Sequence, residues 1–482
     1  MPDVLSTLEP RALWKHFEDL TRIPRPSGKE AAAVAYVREI AGAHGFPVDV
    51  DAVGNIVMRV PASPGKEHAP VVALQGHLDM VCEKNKNVSF DFDKDAIVPE
   101  IRGEWVHARG TTLGADNGIG VAAALAAATE PGVVRPPLEL LFTVDEETGL
   151  TGAQGLEGKL LRARTLLNLD SEEDGTIFVG CAGGEDTIID LAVSWTAPTA
   201  REGIRLEVSG LKGGHSGLNI VENRGNALKL AARILDAAVE AGVALELASI
   251  SGGSKHNAIP REAEATLAGD RAGLAAIAGG SLAAFRTELA GIDDGLEVSV
   301  TEAPVPARVL TGADRDRLLR LLVALPHGVL AMSRDIPGLV ETSSNLAVVA
   351  VRGDAVHVAT SSRSSIASSL AGVLDGIRAQ ARLAGASFER RDGYPGWQPN
   401  LESKTLAVVR SVYEKRWGKE PHVTAIHAGL ECGLLGERVP GLDMVSFGPQ
   451  IEGAHSPDER VHVPSVERFW GALGEVLDRL SS

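Results

Sequence analysis

The sequence predicts an α/β chain: a doubly wound, mostly parallel sheet, interrupted by an inserted α+β domain. Three observations carry that expectation. Short apolar runs are followed by acids or imidazoles in the order His77-Leu-Asp79, Asp116, Glu146-Glu147, Asp170 and, much later, His455, and such strand-end loops converge at the carboxyl edge of a parallel sheet. Near residue 186 this texture stops, and alternating polar strands with amphipathic helices take over until about residue 391. Gly393-Tyr-Pro-Gly-Trp397 then punctuates a return to the first pattern. The expected division is therefore 1–185 and 392–482 for the α/β domain, with 186–391 inserted.

In chain order, Pro10 to Leu20 sets Leu13, Phe17 and Leu20 at helical spacing, and Ser27-Gly-Lys-Glu30 has the form of a capping box before an alanine-rich helix. Val48 to Val53 alternates, Gly54-Asn55 turns, and Ile56 to Val60 continues, which predicts a hairpin. Val71 to Leu74 reads as a strand buried on both faces, with His77 and Asp79 on the loop after it. Gly118 to Thr129 reads as a helix opening directly after Asp116. Leu138 to Val144 and Thr165 to Leu167 are further apolar strands. Inside the insert, Asn226 to Ala241 is an amphipathic helix, and a strand-and-helix pattern recurs around Ile204 to Val300 and Gly328 to Phe388.

A length of 482 residues allows two or three domains, each with its own core. The net charge of -17 argues against a nucleic-acid or anionic-membrane surface, which would require clustered Lys and Arg. The N-terminus lacks the pattern of a secretory signal, and no apolar stretch is long enough to span a bilayer, so the cytoplasm is the expected compartment. Cys82, Cys181 and Cys432 form no CxxC pair, which suits a reducing environment and small buried hydrophobes.

The strand-end residues form a chemical inventory. Adjacent carboxylates at Glu146 and Glu147 repel each other unless a cation or a shared proton compensates them. One can bind a metal while the other exchanges protons with a water and a leaving amine. His77 and Asp79, two apart, suit an imidazole ligand oriented by a carboxylate. Asp116 lies between glycines, where backbone approaches an ion closely, and is the candidate bridge between two metals; Asp170 and His455 complete the set. Singly, each residue has an ordinary reading as an exposed acid, a helix cap or a loop histidine. Together they give three protein ligands per ion, with positions left for water and substrate.

The runs Leu74-Gln-Gly-His-Leu-Asp-Met-Val-Cys-Glu-Lys84, Gly110-Thr-Thr-Leu-Gly-Ala-Asp-Asn-Gly118, Thr143-Val-Asp-Glu-Glu-Thr-Gly149, Asn168-Leu-Asp170 and Gly448 to Arg460 resemble the bacterial aminoacyl-histidine dipeptidases of the carboxypeptidase G and carnosinase-like group of zinc peptidases. The resemblance implies that Asp116 bridges, that His77 and Asp170 complete one zinc site and Glu147 and His455 the other, that Asp79 supports His77, and that Glu146 is the general base. It also implies a cis peptide between Asp116 and Asn117 and a ferredoxin-like lid. In the lid, His215 of Gly213-Gly-His-Ser-Gly217 resembles the oxyanion histidine, Asn257 a substrate-contacting asparagine, and Arg363 the arginine that grips the substrate carboxylate. The Ser-Ser-Arg context of Arg363 departs from the more usual Asp-x-Arg. Glu431 of Gly429-Leu-Glu-Cys-Gly433 is a further candidate substrate contact, with a structural role as its alternative.

The expected activity is hydrolysis of Xaa-His dipeptides, including β-alanyl-histidine, by metal-activated water with two divalent ions, zinc first and manganese or cobalt as alternatives. A broader dipeptidase, an amino-acid deacylase and a non-catalytic binding homologue are the competing readings. The partner is a small dipeptide, with neither nucleic acid nor membrane involved. A homodimer is expected, with both lid halves supplied by one chain.

Overall fold

A computed structural model describes residues 4–482 and divides the chain into two compact units. The first takes in the chain through Gly180, Trp397–Ala425 and Leu430–Ser482; the second is Cys181–Gly396 with Ile426–Gly429.

The first unit is built on an eight-stranded sheet in the order Val48–Val50, Ile56–Val60, Leu138–Thr143, Val72–His77, Thr165–Asn168, Asp443–Ser446, Thr176–Cys181, His422–Ile426. Its four central strands, Leu138–Thr143 to Asp443–Ser446, run parallel. Antiparallel pairing is confined to the flanks, where the expected hairpin joins Val48–Val50 to Ile56–Val60. Val72–His77 and Leu138–Thr143 are buried along their whole length, and apart from Glu139, which Arg59 and the Arg162 and Ala163 N–H groups satisfy, their polar side chains gather toward the carboxyl end. After Val72–His77 the chain crosses to Leu138–Thr143 on one side, then returns to Thr165–Asn168 on the other. That reversal makes the end of Val72–His77 a topological switch point, where loops diverge and leave a crevice.

Two local expectations are corrected here. His77 is the last residue of its strand, not part of the following loop, because its backbone continues the parallel ladder to Thr143. The capping box at Ser27 and Glu30 does not form. The helix Ala31–His44 has Glu30 at its N-cap position with no side-chain cap bond. Ser27 Oγ instead donates to Asp79 Oδ2 at 2.7 Å, and Glu30 Oε1 accepts from the N–H groups of Gly28 (2.6 Å) and Asp145 (3.0 Å). For Ser27 the charged Asp79 carboxylate outcompetes a local cap. Of the cysteines, Cys181 and Cys432 are buried, but Cys82 is partly exposed.

A smaller antiparallel sheet orders Ile451–Glu452, Arg460–His462, Trp105–Ala108 and Pro99–Arg102. Ile451–Glu452 and Arg460–His462 form a hairpin, and the loop between them carries His455.

The second unit contains βαββαβ topology twice, the ferredoxin-like arrangement. One copy is Gly203–Ser209, Ala227–Glu240, Leu245–Gly252, Ala263–Gly269, Arg271–Glu288 and Glu297–Ala303. The other begins upstream of it, with Gly183–Ala192, and resumes with Gly312–Ala324, Val340–Arg352, Ala355–Ser364, Ala367–Leu383 and Glu389–Tyr394. One repeat is thus nested inside the other, which the sequence reading of two successive copies did not anticipate. Their sheets meet at Gly252 and Val349 to make one nine-stranded antiparallel sheet. A shared core joins Ile189, Ile204, Leu206, Ile234, Leu318, Val356 and Ile377.

Candidate active site

The strand ends of the first unit bring the expected residues together. His77 ends its strand; Asp116 sits in the turn before the helical run to Thr129; Glu146 and Glu147 follow Leu138–Thr143; Asp170 follows Thr165–Asn168. The Asp116–Asn117 peptide is cis, and both residues are non-helical although the turn of helix begins at Ala115.

Asp116 lies between two imidazoles. Its Oδ1 is 3.0 Å from His77 Nε2, and its Oδ2 is 3.2 Å from His455 Nε2. His77 Nε2 is also 3.4 Å from Asp170 Oδ1, and His455 Nε2 is 3.0 Å from Glu147 Oε2. These form two triads, His77–Asp116–Asp170 and Asp116–Glu147–His455, and within each triad the donor atoms lie within 4.8 Å of one another. A third grouping brings Glu146 and Glu147 to His77. In a tetrahedral zinc site with bonds of about 2.0–2.2 Å, neighbouring ligand atoms stand roughly 3.3 Å apart, so both triads have the right dimensions for an ion. Among the described residues Glu147 Oε1 and Asp170 Oδ1 have no hydrogen-bond partner and are buried, as atoms facing a cation would be.

Asp79 ties these elements to one another. Its Oδ1 stands 3.3 Å from His77 Nδ1 and accepts the Glu146 N–H at 3.0 Å, while Oδ2 accepts the Glu147 N–H at 3.1 Å. Burial alone would raise its pKa, but the bonds from His77, Ser27 and Glu146 hold it below the usual carboxylate range.

Electrostatics betray the surplus of negative charge. Burial, reinforced by Asp170, Glu431 and Glu147 against the opposing His77, raises Glu146 well above a normal glutamate. Asp170 is pushed up to about 6, by burial first and then by Asp116 and Glu147, with His77 opposing. His455 is pushed up to about 11 by its bonds to Asp116 and Glu147. Carboxylates packed this closely repel one another when ionised, and a cation held between them would relieve that repulsion.

Sequence reasoning missed several members. Glu172, raised to about 8 by burial and by Asp116 and Asp170, carried no signal beyond being one more acid after Asp170. Beneath the strand ends runs a buried polar chain that starts from Glu431, already a candidate in the sequence, and adds Gln75, Thr143, Asn168 and Ser446. Glu431, 1% exposed, accepts from Gln75 Nε2 (2.6 Å) and Thr143 Oγ1 (2.7 Å), leaving its Oε1 unpartnered. Gln75 Oε1 accepts from Asn168 Nδ2 at 2.5 Å, and Asn168 Oδ1 accepts from Ser446 Oγ. Thr143, Asn168 and Ser446 end their strands and Gln75 lies two residues before the end of its own, which is the cue the sequence offered, whereas Glu431 opens the helix Glu431–Arg438.

The remaining candidates lie in the second unit. His215 belongs to the short strand Gly214–His215, paired with Ala258–Ile259, and the Ser216 N–H donates to Asn257 O at 2.9 Å, so the His215 and Asn257 loops are neighbours. Arg363, on Ala355–Ser364, is 7% exposed. Its Nη1 donates to the Tyr394 hydroxyl at 2.8 Å and its Nε has no partner. Burial and the nearby Arg363 charge lower His215 to about 4. They lower His427, 2.8 Å from Ser343 Oγ, to about 3. Tyr394 and His427 are cluster members that the sequence reading did not name.

The sequence matches the peptidase family M20/M25/M40 over residues 73–479. It is 44% identical to the cytosol non-specific dipeptidase of Escherichia coli K12 over 480 residues, 99% of either chain. The crystal structure of aminoacylhistidine dipeptidase from Vibrio alginolyticus superposes with a TM-score of 0.93 at 42% identity, covering 98% of both chains. The aminopeptidase PepT of Bacillus cereus, at 16% identity and a TM-score of 0.59 over 98% of this chain and all of its own, shares the fold. This chain therefore belongs to the peptidase family M20/M25/M40 and is a hydrolase that acts on peptide bonds.

Proposed function

We propose that the chain is a cytosolic dipeptidase that holds two divalent metal ions, zinc in the first instance, and cleaves Xaa-His dipeptides such as β-alanyl-histidine. The observation that carries this reading is Asp116, whose two oxygens face two different imidazoles, each accompanied by one further carboxylate. His77 and Asp170 would hold one ion, Glu147 and His455 the other, and Asp116 both. When bound, such ions supply Lewis acidity, polarising the scissile carbonyl and acidifying a water. Glu146 would take a proton from the attacking water and return it to the leaving amine, a task suited to a carboxylate whose proton affinity is raised by burial. Asp79 keeps the His77 ring in place by facing its Nδ1.

From the second unit, Arg363 offers an unpaired buried guanidinium edge to a substrate carboxylate. His215, held neutral, offers a ring N–H to a developing oxyanion, and Asn257 contributes a polar contact. Glu431, with its free Oε1, is our candidate for the substrate's amino group. The Xaa-His preference rests on the Vibrio relative; the name of the Escherichia coli relative favours a broader dipeptidase as the second reading. The compartment rests on that same name, together with the observation that no helix among the described residues is long and apolar enough to cross a membrane. A homodimer is part of this proposal.

The deciding experiment is a panel of β-alanyl-histidine, other Xaa-His dipeptides, dipeptides without histidine and N-acyl amino acids, assayed on metal-depleted protein reloaded with zinc or manganese. Fastest turnover of the Xaa-His set is expected. Equal rates across all dipeptides would establish the broader reading, and hydrolysis of acyl amino acids alone, or none, would contradict both.

A further inference from the structure

The Asp116 turn is fastened from two sides by charged side chains that never reach the donor atoms of either triad. Glu459 stands at the far end of the hairpin loop that carries His455 and is 2% exposed. Its Oε2 accepts the N–H groups of Leu113 (2.6 Å) and Gly114 (3.0 Å), and its Oε1 those of Ala115 (2.7 Å) and Asp116 (3.2 Å). One carboxylate thereby gathers successive backbone donors, the last of them belonging to Asp116 itself. Arg25, also 2% exposed, acts from the other side. Its Nη2 donates to Gly114 O at 2.5 Å, while Nη1 donates to Leu78 O (3.0 Å) and Asp79 O (2.7 Å), the residues that follow His77. Both polar groups of Gly114 are thus clamped, one by each charge. Gly114 has φ +70°, and a Cβ there would displace the Arg25 guanidinium and the Met80 sulfur, so any side chain would strain the turn and disturb Arg25.

A buried carboxylate and a buried guanidinium are each costly to desolvate, and a serine or threonine would suffice to cap a helix start. What a neutral cap cannot do is join three ligand-bearing segments. Glu459 connects the His455 loop to Asp116, and Arg25 connects Asp116 to the end of the His77 strand.

We propose that Glu459 and Arg25 are positioning residues that hold Asp116 at its station between His77 and His455, and that Glu459 thereby sets the affinity for the ion shared by Asp116, Glu147 and His455. The proposal rests on the two-ion reading above. It is tested with metal-free full-length protein titrated with Mn(II), recording ion stoichiometry and affinity by equilibrium dialysis, spin coupling by electron paramagnetic resonance, and thermal melting of the metal-free forms. Wild-type protein should bind two ions with a coupled signal. Glu459→Gln, which turns an amide NH₂ toward backbone donors, should retain one ion at wild-type affinity and bind the second about 10- to 100-fold more weakly, with the coupled signal lost. Added to His455→Ala, it should change metal binding no further. Arg25→Lys, which keeps the charge and loses the fork, should also weaken metal binding, and it carries the test if Glu459→Gln does not fold. Two ions at wild-type affinity with intact coupling in the variant that folds would overturn the proposal, whatever its melting temperature, as would an additive loss in the double variant. Wild-type protein that binds fewer than two ions would overturn the two-ion reading and the brace with it.

Discussion

The strand-end site of the first unit and the His215–Arg363 cluster of the second are electrostatic opposites. In the first, carboxylates crowd two imidazoles; Asp170 is driven up to about 6 and His455 up to about 11. In the second, a buried guanidinium with an unpartnered Nε stands among imidazoles lowered to about 4 and 3. Burial contributes to both, but the neighbouring charges have opposite sign. One region gathers negative charge and the other positive charge, which suits the ligands proposed for them, metal cations at the first and a substrate carboxylate at the second. The dipeptidase proposed here would use both.

Substitutions can break this opposition at either end. The largest effect is expected at Asp116→Ala, which removes the one side chain common to both triads; metal content should fall at both sites and activity approach background, read by metal analysis beside a rate assay. Next comes Glu146→Gln, expected to retain its metals while kcat falls about 10²- to 10⁴-fold. Loss of metal with preserved activity per ion would instead exchange the roles of Glu146 and Glu147. In the second unit, Arg363→Ala should cost about 3 kcal/mol, roughly 10²-fold in kcat/KM, as expected for truncating one partner of a buried charge pair. A dipeptide amide, which lacks the carboxylate, should react equally slowly with wild type and variant. A further loss with the amide would show that Arg363 does not read the carboxylate.

Much of the first region was legible because its chemistry is written at strand ends, where a buried apolar run makes the following acid or histidine conspicuous. The order His77, Asp116, Glu147, Asp170, His455 needed no three-dimensional information. The supports were less visible. Ser27 and Glu30 have the spacing of a capping box, and only the presence of Asp79 and the Asp145 N–H in space redirects them. Arg25 and Glu459 meet at Gly114 from opposite ends of the chain, and no local pattern joins them. In the second unit, the nesting of one βαββαβ repeat inside the other hides the periodicity, since Gly183–Ala192 pairs with Ala355–Ser364 across an entire repeat. Tyr394 was read as part of a punctuating turn, although its hydroxyl holds Arg363.

The smallest predicted effect follows from that first correction. Ser27→Ala should lower kcat roughly fivefold, the net value of one ordinary hydrogen bond at about 1 kcal/mol, and leave the melting temperature of the metal-free protein unchanged. A drop in melting temperature with kcat preserved would restore the capping role.

The central claim is that Asp116 is shared by two ions. Anomalous diffraction from crystals of the zinc-loaded protein tests it without recourse to activity. The account predicts two peaks about 3.5–4 Å apart, one bounded by His77 and Asp170 and the other by Glu147 and His455, with an Asp116 oxygen on each and Glu146 on neither. A single peak, or a pair that leaves one Asp116 oxygen unbound, would contradict it.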